Sequence, residues 1–222
     1  MRAMMAAVLL SCALLLAPQP TAAAQPTTCP PTCDQIPAAA WPDTWSLPMD
    51  NVYHWPALDA LAVPVRAPRF KFEELCASPP VPDDPRAYAV AARAIAGQPD
   101  GQWQLQAQIV HWRGETWRSG QLAAAAFDTA VATLRACQGS APQLSPSITT
   151  AEPNRLAAVL AGPVIARQFL VVDPANSTIA ELVFWRNAAA WPPAPAWPTL
   201  SDAQVLDAMS DPLCRAYLGS CG

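Results

Sequence analysis

The sequence predicts an α+β fold, an antiparallel sheet packed with helices and stabilised by disulfides. Three observations carry this expectation. Trp103, Leu105, Ala107, Ile109 and His111 alternate with Gln102, Gln104, Gln106, Gln108 and Val110, the period of two of a strand with one face against a core. After Gly114 and Glu115 the period lengthens, and Phe127, Ala130, Val131, Leu134 and Cys137 recur at helical spacing. Two apolar, β-branched runs, Val164 to Val172 and Thr178 to Arg186, flank Asp173-Pro174-Ala175-Asn176-Ser177 and read as a hairpin.

At the start of the chain, Arg2, the apolar run Ala6 to Ala17, the breakers Pro18 and Pro20, and Ala22-Ala23-Ala24 describe a secretory signal peptide over residues 1–24. The run is too short for a comfortable membrane span, and no later stretch of about 20 apolar residues follows, so no stable membrane span is expected. Leu9-Leu10-Ser11-Cys12 resembles a lipoprotein signal, but cleavage there would leave Ala13 to Leu16 on the mature chain, which disfavours lipidation of Cys12. The expected location is outside the cell or in a bacterial cell envelope. Lys71 is the only lysine in an alanine-, proline- and arginine-rich chain, a composition that suits a GC-rich bacterial gene.

With 52% hydrophobic residues and a formal net charge of −4, the chain can build a sizeable core and lacks the clustered basic residues of a nucleic-acid partner. Beyond the signal stand Cys29, Cys33, Cys76, Cys137, Cys214 and Cys221, an even set in an exported chain. The preferred pairing is Cys29 with Cys33, Cys76 with Cys137 and Cys214 with Cys221, with cross-pairing of the two ends as its rival.

Residues 25–70 carry prolines at a density that excludes a long helix, yet retain Trp41, Trp45 and Trp55; they read as an arm that wraps its rings onto the domain. Residues 71–190 form the main α+β core. Within it, Asp84 as cap, Pro85 at the first helical position, the stripe Tyr88, Ala91, Ala92 and Ile95, and Gly97 beyond the end predict a helix. The Ser-, Thr- and Pro-rich stretch 139–154 is a connection containing one short strand at Ile148-Thr149-Thr150. In residues 155–162, Leu156, Val159 and Leu160 suit a helical turn, in a run too short for periodicity to decide. Residues 191–222, part of the same domain, begin with the rigid Trp191 to Pro198 connector. A capping box of Ser201 and Gln204 then opens a C-terminal helix that Pro212 should break or restart.

No reactive constellation stands out. His54 and His111 are the two histidines, with Glu115 or Asp128 as candidate partners for His111, but no Gly-x-Ser-x-Gly elbow supplies a nucleophile. Neither a His-Glu-x-x-His helix, a calcium loop nor a phosphate loop is present, so no metal or cofactor is expected. Nine tryptophans are the unusual feature. Trp103 and Trp112 face opposite sides of the strand, and Trp112 and Trp117, with Arg113 and Arg118, are the candidate edge of a groove. Such a groove suits an apolar ligand carrying an acidic group, a glycan or a protein segment.

Phe72-Glu73-Glu74-Leu75-Cys76, the Trp103 strand, Leu134-Arg135-Ala136-Cys137-Gln138 and the β-rich second half resemble exported mycobacterial proteins related to the extracellular sensor domain of serine/threonine protein kinase H. The resemblance spans roughly residues 70–190 and implies a disulfide-bound α+β domain with a central cleft for an unknown ligand. The expected function is a secreted, non-enzymatic binding or protein-interaction module of the envelope, with an unknown small apolar or glycan ligand or an envelope protein as partner. A cell-envelope scaffold is one alternative. A hydrolase with a non-local His, carboxylate and Ser or Thr site is the other.

Overall fold

The computed structural model describes residues 34–217, so the expected signal peptide, Cys29, Cys33 and Cys221 lie outside the described residues. The centre of the protein is a seven-stranded sheet in the order β1-β2-β3-β7-β6-β5-β4, antiparallel throughout. Its strands are β1 Val63–Pro64, β2 Val90–Ala96, β3 Gln104–His111, β4 Ser147–Glu152, β5 Arg155–Ala161, β6 Val164–Asp173 and β7 Thr178–Asn187. The helices are α1 Asp50–Tyr53, α2 Leu58–Leu61, α3 Lys71–Leu75, α4 Thr116–Ser140 and α5 Asp202–Ala216.

The alternation of β3 sends Leu105, Ala107 and Ile109 to one face and Val110 to the other. On the first face, residues of the N-terminal arm, among them Trp41, Met49, Trp55 and Leu58, pack beside Val205, Leu206, Met209 and Leu213 of α5. On the second, Phe70 and Phe72 at α3 and the buried stripe of α4 cover Val110, Leu170 and Val183. The sheet is therefore the middle layer of three, and the expectation of one covered face is corrected. Gln106 and Gln108, opposite Leu105 and Ala107, are as deeply buried as the apolar residues.

The helix expected from Asp84 to Gly97 is also corrected. Its start signals operate, since the Asp84 side chain accepts the Arg86 N–H and a single 3-10 turn follows over Pro85–Tyr88. The chain then extends as β2, paired with β1 on one side and β3 on the other. Alanine's helix preference is a few tenths of a kcal/mol per residue, whereas a strand between two others satisfies its backbone groups and lets the arm approach Ala92, Ala94 and Ala96 closely. Residues 155–161 are likewise a strand, buried at Leu156, Ala157, Ala158 and Leu160.

The hairpin of β6 and β7 forms as expected, and its loop receives the start of α4. A Cβ on Gly120 would stand 2.3 Å from the Pro174 carbonyl oxygen, so only glycine allows this approach. The capping box of Ser201 and Gln204 opens α5. Pro212 does not break the helix, which continues to Ala216 with Pro212 buried. Packing of Val205, Leu206, Met209 and Leu213 on the sheet offsets the cost of an interior proline, about 3 kcal/mol.

Cys76, at the end of α3, is bonded to Cys137 near the end of α4. Cys214 is disulfide-bonded too, while its proposed partner Cys221 lies outside the described residues. The Cys76–Cys137 bridge closes a sequence separation of 61 residues, for which chain-closure entropy corresponds to about 4 kcal/mol. Cys76→Ala with Cys137→Ala should lower denaturant-unfolding stability by about that amount. Peptide mapping of the non-reduced protein should recover the two cysteines in one linked fragment.

Candidate functional site

The sequence-predicted cluster divides between core and surface. Trp112, one residue beyond β3, is buried, and its Nε1 donates to the Pro85 carbonyl at 3.0 Å. Trp117, in the first turn of α4, is 62% exposed; its Nε1 donates to Glu115 at 3.1 Å and the Arg118 guanidinium lies 5.4 Å from its ring centre. Arg113 is exposed and paired with Asp34. Trp117 and Arg118 thus remain available at the surface, whereas Trp112 offers no ring face to a ligand.

His111 is buried at the end of β3, with Nδ1 3.0 Å from Thr178 Oγ1 and its ring stacked on Tyr217 at 4.7 Å. Thr178 is fully buried, and its hydroxyl donates to the Asn176 carbonyl at 3.0 Å. This Thr hydroxyl is therefore not accessible to a substrate. Among the described residues no group of three or more His, Cys, Asp or Glu is placed to hold a metal ion, and no helix is long and apolar enough to cross a membrane.

The combination of arginine and tryptophan sought near Trp112 occurs elsewhere, where β6 and β7 meet the C-terminal connector. Arg167 on β6 is opposite Phe184, and Arg186 on β7 is opposite Ile165, so the two arginines are diagonal neighbours on one face. The Arg167 guanidinium lies 5.2 Å from the Trp197 ring centre and that of Arg186 lies 5.4 Å from the Trp103 ring centre. Trp103 and Trp197 meet edge to face at 5.3 Å, and Trp103 Nε1 holds the connector through the Pro195 carbonyl at 2.9 Å. Four side chains consequently form one array, Arg167, Trp197, Trp103 and Arg186.

Neither arginine of this array has a carboxylate partner among the described residues, and the Nε atoms of both are buried without a hydrogen-bond acceptor. Among the described residues Arg186 donates through Nη1 to the Asn187 carbonyl, at 3.3 Å. A buried donor without an acceptor costs about 1–3 kcal/mol, and more when it is charged. An anionic group set against the two guanidinium edges would relieve that cost, while the tryptophans supply apolar area beside it. Sequence reading passed over Arg167 and Arg186, although a signal was present: both interrupt the apolar alternation that includes Phe169 and Phe184.

No family model matches this chain, and comparisons with curated proteins and with solved structures found no match.

The opposite face carries a buried polar row. Arg93, Gln108 and Glu181 stand in register across β2, β3 and β7. Glu181 accepts the Lys71 backbone N–H at 2.5 Å and the amides of Gln106 and Gln168, each at 3.1 Å. Burial pushes its carboxyl from 4.5 up to about 7, against these hydrogen bonds and the charge of Arg93, which favour ionisation. The folded protein therefore retains this proton where the unfolded chain has lost it. The resulting stabilisation is complete below pH 4.5 and is lost as the pH rises through about 7. Relative to the parent, Glu181→Gln should flatten the fall of the thermal midpoint across that window; parallel profiles would contradict the assignment.

Proposed function

We propose that the protein is a secreted, non-enzymatic binding module of the bacterial cell envelope, and that it recognises a ligand bearing an anionic group on an apolar or sugar body. The observation that carries this reading is the pair Arg167 and Arg186, two cationic side chains whose Nε donors are buried without acceptors beside the rings of Trp197 and Trp103. Keeping two like charges on an otherwise apolar sheet face opposes folding unless an anion compensates them. A binding site can sustain such a cost because the ligand returns it on association. The aromatic array gives the ligand body a rigid apolar wall, and the Trp103 hydrogen bond fixes the connector that bears Trp197.

Export follows from the character of residues 1–24, and the resemblance of residues 70–190 to sensor domains points to ligand recognition as well. Intact native mass spectrometry of the purified protein is the first test, because it needs no guess at the ligand. A reproducible adduct is expected, lost in Arg167→Gln with Arg186→Gln. Each charge-assisted contact is worth about 1.5–3 kcal/mol, so each single substitution should weaken binding at least about tenfold. An adduct that survives the double substitution would place the ligand elsewhere. An adduct-free protein under conditions that preserve weak complexes would favour the scaffold role.

A further inference from the structure

A second cationic surface lies on the other face of the sheet, toward its β1 edge, and shares no residue with the Arg167 and Arg186 array. The loop from Val65 to Arg69, Glu74 of α3 and Arg93 of β2 line a solvent-open crevice of about 280 Å³. Three arginines, Arg66, Arg69 and Arg93, face one carboxylate there. That carboxylate is already engaged, since Glu74 lies 2.9 Å from Lys71 Nζ and only 3.5 Å from Arg93.

The two inner arginines are oriented mainly by neutral acceptors, and Arg93 also reaches Glu74 Oε1 through Nη1 at 3.5 Å. Arg69 donates through Nη2 to the Ser78 carbonyl at 2.5 Å. Arg93 donates through Nε to Gln108 Oε1 and through Nη2 to the Arg69 carbonyl, each at 2.8 Å. Carbonyl and amide oxygens fix a guanidinium in place without cancelling its charge. Arg66 is exposed and makes no ion pair among the described residues. Next to it Ala67 holds a φ of +44°, a left-handed conformation that costs a residue with a Cβ and must be sustained by its surroundings.

The chain just beyond Ala67 is held by buried polar groups of the same face. Glu73 Oε2 accepts the Phe70 N–H at 2.7 Å, Glu181 accepts the Lys71 N–H, and the Gln108 amide donates to the Arg69 carbonyl at 3.3 Å. Glu73 is itself clamped by both terminal nitrogens of Arg86, at 2.7 and 2.9 Å. Three consecutive residues, Arg69 to Lys71, are thus pinned from below, while the three guanidinium groups above share the single carboxylate of Glu74. Such a supporting layer is what a preorganised site requires.

We propose that this crevice binds a phosphate-type oxyanion, held between Arg66, Arg69 and Arg93. The excess of two positive charges in the lining matches a dianion, and guanidinium groups suit phosphate oxygens in charge and in paired-donor geometry.

Titration of the purified protein with inorganic phosphate, at ionic strength held constant with chloride, tests the proposal by calorimetry and by amide shifts. A saturable response is expected, with the largest shifts in residues 65–69 and around Arg93. Arg66→Gln and Arg93→Gln should each weaken it about tenfold. Arg167→Gln with Arg186→Gln should leave it unchanged, which separates this site from the one in the proposed function. Arg66→Gln alters an exposed side chain outside the supporting hydrogen bonds, so it decides the matter even where Arg93→Gln perturbs the loop. Absence of any saturable phosphate effect beyond chloride, or full phosphate affinity in a folded Arg66→Gln protein, would overturn the proposal.

Discussion

A seven-stranded antiparallel sheet presents two faces, and in this protein both carry large apolar side chains that must be kept from water. Leu105, Leu182 and Phe184 look one way; Val110, Leu170 and Val183 look the other. The 25-residue helix α4 covers part of one face. The remainder is covered by what the chain has left, short turns of the proline-rich arm, the five-residue α3, the Trp197 connector and α5. Tryptophan suits this task because a single ring buries a large area without regular structure around it. Trp41 and Trp55 in the arm and Trp197 in the connector are used in this way.

The face under α3 and α4 is less simple, because the five-residue α3 is too short to cover its strands with apolar groups alone. Its polar row meets the backbone of α3 instead, and Glu181 reaches the Lys71 N–H while Glu73 and Arg86 form a buried ion pair. Buried ion pairs add little net stability, but their directional bonds define a single placement for a segment that would otherwise slide. The Cys76–Cys137 bond then fastens the end of α3 to α4. Covalent closure acts on the unfolded chain and the polar row acts on the native geometry, so the two constraints reinforce each other without duplicating a role.

The two arginine surfaces differ in how their charge is held. Arg167 and Arg186 rest on tryptophan faces and leave buried donors unmet, which suits a ligand with both apolar and anionic parts. Arg69 and Arg93 are held mainly by neutral oxygens in an open crevice where three arginines share one carboxylate, which suits a small, highly charged group. Both depend on strands that bring together residues far apart in sequence. Arg93 finds its register partner Gln108 across one hairpin, and Arg167 finds Arg186 across another.

Local patterns determined the elements whose signals agree with their surroundings: the β3 alternation, the hairpin of β6 and β7, the amphipathic α4 and the capping box of α5. The Cys76–Cys137 pairing, preferred in the sequence while other pairings stayed open, is present. Tertiary structure decided the alanine-rich stretch of β2, where a weak helical preference yields to two flanking strands, and the path of α5 through Pro212, where packing outweighs a missing hydrogen bond. It also decided the candidate sites. Trp112 and Trp117 are neighbours in sequence, but one ring ends in the core and the other in solvent, since a strand end and a helix start point side chains in different directions. The sequence by itself determined which residues could bury and which could carry charge. Which arginines share a surface depends on strand register, and register is a long-range property that no window of the sequence contains.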